Sequence, residues 1–224
     1  MTEVTRLANK LVDEGLLEHN EYIELLSNRD DEVREYLRSK AQEIAVRNYG
    51  RDIFLRGLIE YSNICKNDCY YCGIRKSNND VERYRLSLEE ILSCCDIGYQ
   101  IGLRTFVLQG GEDPYFTDDM MCEIISSIKS HYPDCALTLS IGEKERESYK
   151  RYFEAGADRY LLRHETADAE HYRRLHPESQ SLENRMRCLD VLKDVGFQIG
   201  AGFMVGSPGQ TYDTMASDFE YLKK

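Results

Sequence analysis

The sequence lacks any apolar run near the ~18 residues that a membrane span requires, and its mean hydropathy is −0.57. No membrane association is expected. Basic charge is scarce as well: 29 Lys and Arg stand against 40 Asp and Glu, a net charge of −11. The positive footprint that nucleic-acid binding needs is therefore missing. The opening stretch MTEVTRLANKLVDEG carries acids early and no apolar core, so a secretory signal is not expected. Low-complexity linkers and strong repeats are also lacking. What remains is a chain of 224 residues, 42% of them hydrophobic, enough for one large domain or two small ones.

Cysteine is not lacking. There are eight: Cys65, Cys69, Cys72, Cys94, Cys95, Cys122, Cys135 and Cys188. Nothing marks the chain as secreted and a core of this size needs no disulfide staples, so a reducing, cytoplasmic location with free thiols is expected. Cys94, Cys95, Cys122, Cys135 and Cys188 read most simply as small buried hydrophobes. Cys65, Cys69 and Cys72 fall within eight residues as C-x3-C-x2-C, a spacing that carries information.

Residues 1–50 read as a helical segment. Leu7 and Leu11 repeat at i, i+4 behind a Thr2 cap, and a second helix after Asp30 or Asp31 carries Val33, Tyr36, Leu37, Ile44 and Ala45 on one stripe. Asn48-Tyr49-Gly50 is a stop signal. From residue 53 short apolar runs alternate with amphipathic stretches. Strands are expected at Ile53–Tyr61, Thr105–Gln109, Ala136–Ile141, Arg159–Arg163 and Phe197–Val205, and helices near 88–99, 118–130, 144–155, 182–194 and 211–223. Gly98, Gly156 and Gly196 read as helix-ending glycines. Five β-α repeats imply an α/β fold with a parallel sheet covered by helices. The expected domains are 1–50 and 51–224.

The three cysteines follow the first strand, on the loop at its C-terminal end, where parallel barrels do their chemistry. Three close thiolates suit a soft metal centre. Structural zinc wants four protein ligands, and the next cysteine is Cys94, 22 residues on. A four-iron cluster held by three thiolates leaves one iron open to an outside ligand. Iron–sulfur is the favoured reading, with zinc and unligated thiols as alternatives.

With Tyr71 before the third cysteine, the segment resembles the C-x3-C-x-φ-C signature of the radical S-adenosylmethionine (SAM) superfamily. The resemblance implies a TIM-type (β/α) barrel in which Cys65, Cys69 and Cys72 hold a 4Fe-4S cluster. SAM would chelate the open iron, and its reductive cleavage would give a 5′-deoxyadenosyl radical. The protein's share is to orient SAM and keep water away.

Other positions acquire meaning beside that loop. Gln109-Gly110-Gly111-Glu112-Asp113 after the second strand is by itself an ordinary β-α turn. Next to the cysteines it resembles the superfamily's GGE motif, in which Gly110, Gly111 and Glu112 support the methionine end of SAM. On the fourth strand, alternation puts Arg159, Leu161, Arg163 and Glu165 on one face and Tyr160, Leu162 and His164 on the other. Late-strand charges are site candidates, against the plainer reading of a structural Arg–Glu pair at the rim. His164 reads as a hydrogen-bonded structural histidine. Arg185 could clamp a carboxylate; its plainer reading is a solvated helix arginine. Gly200–Gln210 is similar to a superfamily segment that packs beside adenine, with Met204 where isoleucine is usual.

Within the superfamily the chain most resembles the HydE family of diiron hydrogenase maturases. The matching strings are Glu60–Asn63, Tyr71–Arg75, Arg83-Tyr84-Arg85, Val107–Pro114, Gly156–Thr166, Glu183-Asn184-Arg185 and Gly200–Thr211. Gly110 departs from the serine common in that family. Carried over by position, the resemblance implies SAM contacts from Ser140, Glu165 and Arg185, and a substrate cavity lined by Thr138 and Arg159. It implies action on a small organometallic iron substrate during assembly of the hydrogenase diiron subcluster. An electron donor such as ferredoxin or flavodoxin and the maturases HydG and HydF would be partners. Methylornithine synthase and biotin synthase are rival readings; a zinc-binding module or a SAM-binding scaffold would be non-catalytic ones. Eight-stranded closure would take three more β-α units, on the order of 100 residues at ~35 each. The sequence is therefore read as C-terminally truncated.

Overall fold

The computed structural model describes residues 2–28 and 30–224. Along the chain run α1 (Glu3–Glu14), α2 (His19–Ser27), α3 (Asp31–Tyr49), β1 (Gly57–Ser62), α4 (Leu88–Gln100), β2 (Thr105–Gly110), α5 (Asp118–His131), β3 (Ala136–Ser140), α6 (Arg146–Glu154), β4 (Arg159–Leu161), α7 (Ala169–Leu175), α8 (Leu182–Val195), β5 (Gln198–Gly200) and α9 (Tyr212–Lys223). Two compact units emerge. One comprises Leu55–Glu165 and Tyr172–Gly202; the other comprises Met1–Phe54, Thr166–His171 and Phe203–Lys224.

In the first unit the five strands form one parallel sheet in chain order, β1-β2-β3-β4-β5. Consecutive parallel neighbours require a crossover after every strand, and amphipathic helices supply it. β2, β3 and β4 alternate, and so does β1 as far as Tyr61. Ile59 and Tyr61, Phe106 and Leu108, Leu137 and Leu139, and Tyr160 are all buried. The residues between them, Leu58, Glu60, Val107, Gln109, Thr138, Ser140 and Leu161, are exposed or half-exposed. Helices α4, α5, α6 and α8 cover the buried set, so the apolar core lies on that face and the polar residues lie on the other.

Caps delimit the crossovers. Ser87 and Glu90 form a capping box on α4, and Thr117 and Ser181 accept from the third residues of α5 and α8. Gly196 ends α8 in the left-handed region, as expected. Gly98 does not end a helix. It lies inside α4, where an added Cβ would stand 2.8 Å from the Phe106 ring, and Ile101-Gly102 makes the turn instead.

Three strands differ from the sequence pattern. β1 begins at Gly57, and the apolar Ile53, Phe54 and Leu55 before it are 85%, 67% and 71% exposed. β4 and β5 are three residues each, because the chain turns away after Leu161 and Gly200. Helix α7 had no periodic signal and was not anticipated. Cys95, Cys135 and Cys188 are buried as expected; Cys122 is half-buried and Cys94 exposed, so those two are not core residues.

The second unit holds α1, α2, α3 and α9. Leu17, Tyr22 and Ala216 form its buried cluster, with Leu11, Ile23, Leu25, Leu26 and Phe219 packed on it. Tyr22 stacks on Phe219 at 5.4 Å. The helix at 212–223, expected as a barrel crossover, thus packs against α2. His19 bridges Asp213 at 3.0 Å and Glu220 at 3.3 Å, and those carboxylates raise its pKa. On α3 only Val33 of the expected stripe is buried, and Ile44 is exposed. No helix among the described residues is long and apolar enough to cross a membrane.

A buried carboxylate, Asp113, ties the loops after β1 and β2 together. Asp113, with no side-chain exposure, receives Arg85 Nε at 2.7 Å, Arg85 Nη2 at 2.9 Å, Ser62 Oγ at 2.7 Å and the Tyr115 N–H at 3.0 Å. Burial opposes the charge, but the bonds from Arg85 and Ser62 outweigh it and hold the Asp113 pKa below the usual value. The carboxylate then contributes stability above the unfolded pKa of about 4 that is lost as pH falls through the lower folded value. Asp113→Asn is expected to cost about 1.5–3 kcal/mol at pH 7 and to flatten the acid limb of stability. Urea unfolding at pH 7 and pH 4 measures both.

Candidate functional site

At the C-terminal ends of the strands lies a cavity of about 540 Å³, within the size range of small-molecule sites. Cys65, Cys69, Cys72, Tyr71, Gly110, Gly111, Glu112, Ser140, Glu165 and Arg185 all line it, so ten of the expected site residues come together. Thr138 and Arg159 do not line it. They are paired in register on β3 and β4, one strand step deeper, and Arg159 Nε donates to Gln198 Oε1 at 2.6 Å. Met204 belongs to the unit that contains α9, where its carbonyl accepts from Gln210 Nε2 at 2.5 Å.

The cysteine loop is irregular backbone, and irregular backbone must find partners for its polar groups. Arg83 supplies many of them. Its guanidinium donates to the carbonyls of Ile74 at 3.0 Å, Arg75 at 2.8 Å, Asn78 at 2.8 Å and Asn63 at 2.5 Å. Lys76 N–H closes onto the Asn67 carbonyl, and Cys72 N–H onto that of Cys69. The other side of the loop rests on residues 175–180. Tyr70 N–H donates to the Leu175 carbonyl at 3.0 Å, and the Cys69 thiol lies 3.0 Å from Gln180 Oε1. His176 holds Tyr71. Its Nδ1 faces the Tyr172 carbonyl at 3.0 Å and so carries the proton, which leaves Nε2 to accept from the Tyr71 hydroxyl at 3.1 Å. Burial pushes the His176 pKa down to about 4, so the ring is neutral at pH 7.

Gly111 approaches this loop more closely than any other residue type could. A Cβ there would stand 2.2 Å from the Ile64 carbonyl oxygen and 2.7 Å from Cys65 Cβ. The approach brings the Glu112 N–H to 3.4 Å from Cys65 Sγ, which also receives the Asn67 N–H at 3.4 Å. Burial raises the Cys65 thiol pKa and pushes that of Cys69 up to about 11. A bound cation is what would favour the thiolates here.

Glu112 is held from two sides. Its Oε2 pairs with Lys66 Nζ at 3.1 Å, and its Oε1 accepts the Glu143 N–H at 2.9 Å. The second contact depends on Gly142, whose φ is +79° and whose added Cβ would overlap the Glu112 side chain at 2.2 Å. Glu143 in turn accepts Arg185 Nε at 2.5 Å and Asn184 Nδ2 at 2.6 Å, while Arg185 Nη1 donates to the Arg163 carbonyl at 2.6 Å. Arg185 is therefore a buried, fixed cation rather than a solvated helix arginine. Burial alone would lower its pKa; Tyr172 and Glu143 more than offset this.

Glu165 is the strained member. Among the described residues it is the non-glycine residue with positive φ (+66°), it is buried, and burial raises its carboxyl pKa. Oε1 lies 3.5 Å from the exposed Arg163, so a rim Arg–Glu pair does exist, but Oε2 has no hydrogen-bond partner. Groups of this kind concentrate at ligand sites. Sequence reasoning missed Arg83, Glu143, His176 and Gln180. Arg83 stood in a string already singled out; the others carry no signal, since their roles arise from contacts 31 to 111 residues apart along the chain.

Residues 59–222 match the radical SAM superfamily. The FeFe hydrogenase maturase subunit HydE of Thermotoga maritima is 46% identical over 201 residues, 90% of this chain and 57% of that protein. The 3-methylornithine synthase of Methanosarcina barkeri is 29% identical over 97% of this chain and 62% of its own length. Among solved structures, methylornithine synthase superposes with a TM-score of 0.87 at 28% identity, covering 96% of this chain and 64% of that one. The FeFe hydrogenase maturase HydG from Carboxydothermus hydrogenoformans gives 0.85 at 28% identity, covering 99% and 53%. The chain thus spans about three-fifths of the length of the curated relatives it matches. A parallel sheet of consecutive βα units, three cysteines on the loop after its first strand and these likenesses agree: the chain belongs to the radical SAM superfamily and is homologous to HydE.

Proposed function

We propose that the chain binds a cluster and SAM as a HydE-like maturase does, acting in assembly of the diiron subcluster of hydrogenase. The observation that carries this reading is the 46% identity to HydE over 90% of the chain. Radical SAM enzymes use a 4Fe-4S cluster and SAM. The residues fit both groups. Three free thiols line one cavity, and backbone N–H groups point at Cys65 Sγ. Among the described residues no three His, Cys, Asp or Glu side chains converge as they would on a single ion, whereas a cubane takes each thiolate at a separate iron. The unpartnered Glu165 Oε2 is of the kind a polar ligand fills.

In this reading Cys65, Cys69 and Cys72 hold the cluster, which when bound supplies the electron that cleaves SAM to the adenosyl radical. Gly110, Gly111 and Glu112 support the methionine end. Ser140, Glu165 and Arg185 meet the rest of SAM, with Arg185 fixed by Glu143. Tyr71, held by His176, lines the cavity beside the third cysteine. Thr138, Arg159 and Met204 remain substrate and adenine candidates. A ferredoxin or flavodoxin as reductant, a small iron complex as substrate, HydG and HydF as partners and a cytoplasmic location complete the proposal. The domain division at residue 50 is part of it.

Cys69→Ala is expected to abolish 5′-deoxyadenosine formation from SAM and dithionite in the reconstituted chain, as measured by chromatography; an unchanged yield counts against the enzyme reading. Gly111→Ala is expected to cost about 1–3 kcal/mol through overpacking and to lower bound iron per chain, as iron and sulfide analysis would read. The methylornithine synthase structure favours one rival. Incubation with lysine, SAM and reductant is expected to give no methylornithine by mass spectrometry; its formation would replace the hydrogenase reading.

A further inference from the structure

Cys65 and Cys69 differ in what reaches their sulfurs. At Cys65 the neighbours are the backbone N–H groups of Asn67 and Glu112, both at 3.4 Å. At Cys69 the neighbour is a side chain, with Gln180 Oε1 3.0 Å from Sγ. Gln180 is only 8% exposed. Its N–H is bonded to the Pro177 carbonyl at 2.9 Å, and the same segment holds Tyr70 N–H through Leu175 at 3.0 Å. The amide is therefore anchored against the cysteine loop on a backbone that does not swing free.

With a protonated thiol the sulfur donates and the amide oxygen accepts. A thiolate bound to iron has no proton to give, and two acceptors facing each other repel. A half-turn of the amide about its Cγ–Cδ bond exchanges Oε1 for Nε2 and leaves the rest of the side chain in place. The sulfur then faces a donor.

We propose that Gln180 is a positioning residue of the cluster site, donating a side-chain N–H to the Cys69 thiolate and thereby raising the reduction potential of the cluster. The inference rests on the reading of Cys65, Cys69 and Cys72 as cluster ligands. An N–H···S bond draws electron density from the ligating sulfur and favours the reduced, more negative cluster. Gln180 does this without adding charge and, being buried, without admitting water. The backbone donors at Cys65 are built into the loop; the donor at Cys69 is a side chain and can be removed.

The test is an electron-paramagnetic-resonance redox titration of the full chain, reconstituted anaerobically with iron and sulfide and without SAM. Gln180→Leu and Gln180→Glu are titrated beside it, with circular dichroism as the check on folding. The expected result is a four-iron cluster in each, with the potential shifted negative in Gln180→Leu and further negative in Gln180→Glu, where a carboxylate faces the sulfur. An intact cluster in Gln180→Leu with an unchanged or more positive potential overturns the proposal. If the leucine variant takes up no cluster, Gln180→Asn, which retracts the donor by one methylene, carries the test: a negative shift supports the proposal and no shift overturns it. A wild-type chain that binds no four-iron cluster overturns the reading of the cysteines, and this inference with it.

Discussion

The buried carboxylate of Asp113 ties together the loops above the sheet. It lies in the turn after β2, yet its partners come from the end of β1, through Ser62, and from the chain returning to α4, through Arg85. Ser62 and Arg85 also form an isolated β-bridge, and the Arg85 guanidinium lies 4.5 Å from the Tyr115 ring centroid. The cysteine loop, residues 63–84, is the excursion between those two partners. Its ends are therefore pinned to the same point as the glycine turn, and backbone bonds from Gly111 to the Ser62 carbonyl at 3.3 Å and from Lys66 to the Glu112 carbonyl at 3.0 Å hold Gly111 near Cys65. A buried charge is retained only where its bonds offset desolvation, and here four donors do so.

The sheet divides its work by face. Apolar side chains and their helices occupy one side, where burial at about 25 cal/mol per Å² supplies the stability. The other side carries Glu60, Gln109, Ser140 and Arg163, which a dry core would not tolerate unpaired. Some polar groups around the cavity are linked in relays. Tyr160 is buried on the helix side, yet its hydroxyl donates to the Gly142 carbonyl at 2.8 Å; the next residue, Glu143, holds both Glu112 and Arg185. The core and the cavity are coupled at that turn, so a change at Tyr160 reaches the site without touching it.

Much of this was legible from residue types and spacing. C-x3-C-x2-C, the glycine pair before Glu112 and the five strand-helix alternations each follow local rules, and the helix limits from Leu88 to Val195 fall within two residues of expectation. What was not legible depends on meetings across the chain. His176 and Gln180 look like ordinary residues around a proline; only the fold puts them under Tyr71 and Cys69. Ile53–Leu55 read as strand because apolar runs in parallel sheets do, yet those side chains are exposed. Helix α7 escaped because Ala169–Leu175 spans under two turns, too short for a period to show.

Residues 175–185 act as a bracket for the site. Leu175 and His176 take the tyrosines of the cysteine loop, Gln180 takes Cys69, and Arg185 takes Glu143. Each contact satisfies one group on the segment and one on the cavity wall, so neither side is free to relax alone. Glu165 stands apart from this pairing. It carries a left-handed backbone that costs about 1–3 kcal/mol and a buried oxygen without a partner, whose desolvation costs a similar amount. A ligand hydroxyl or ammonium donating to Oε2 would offset that cost on binding.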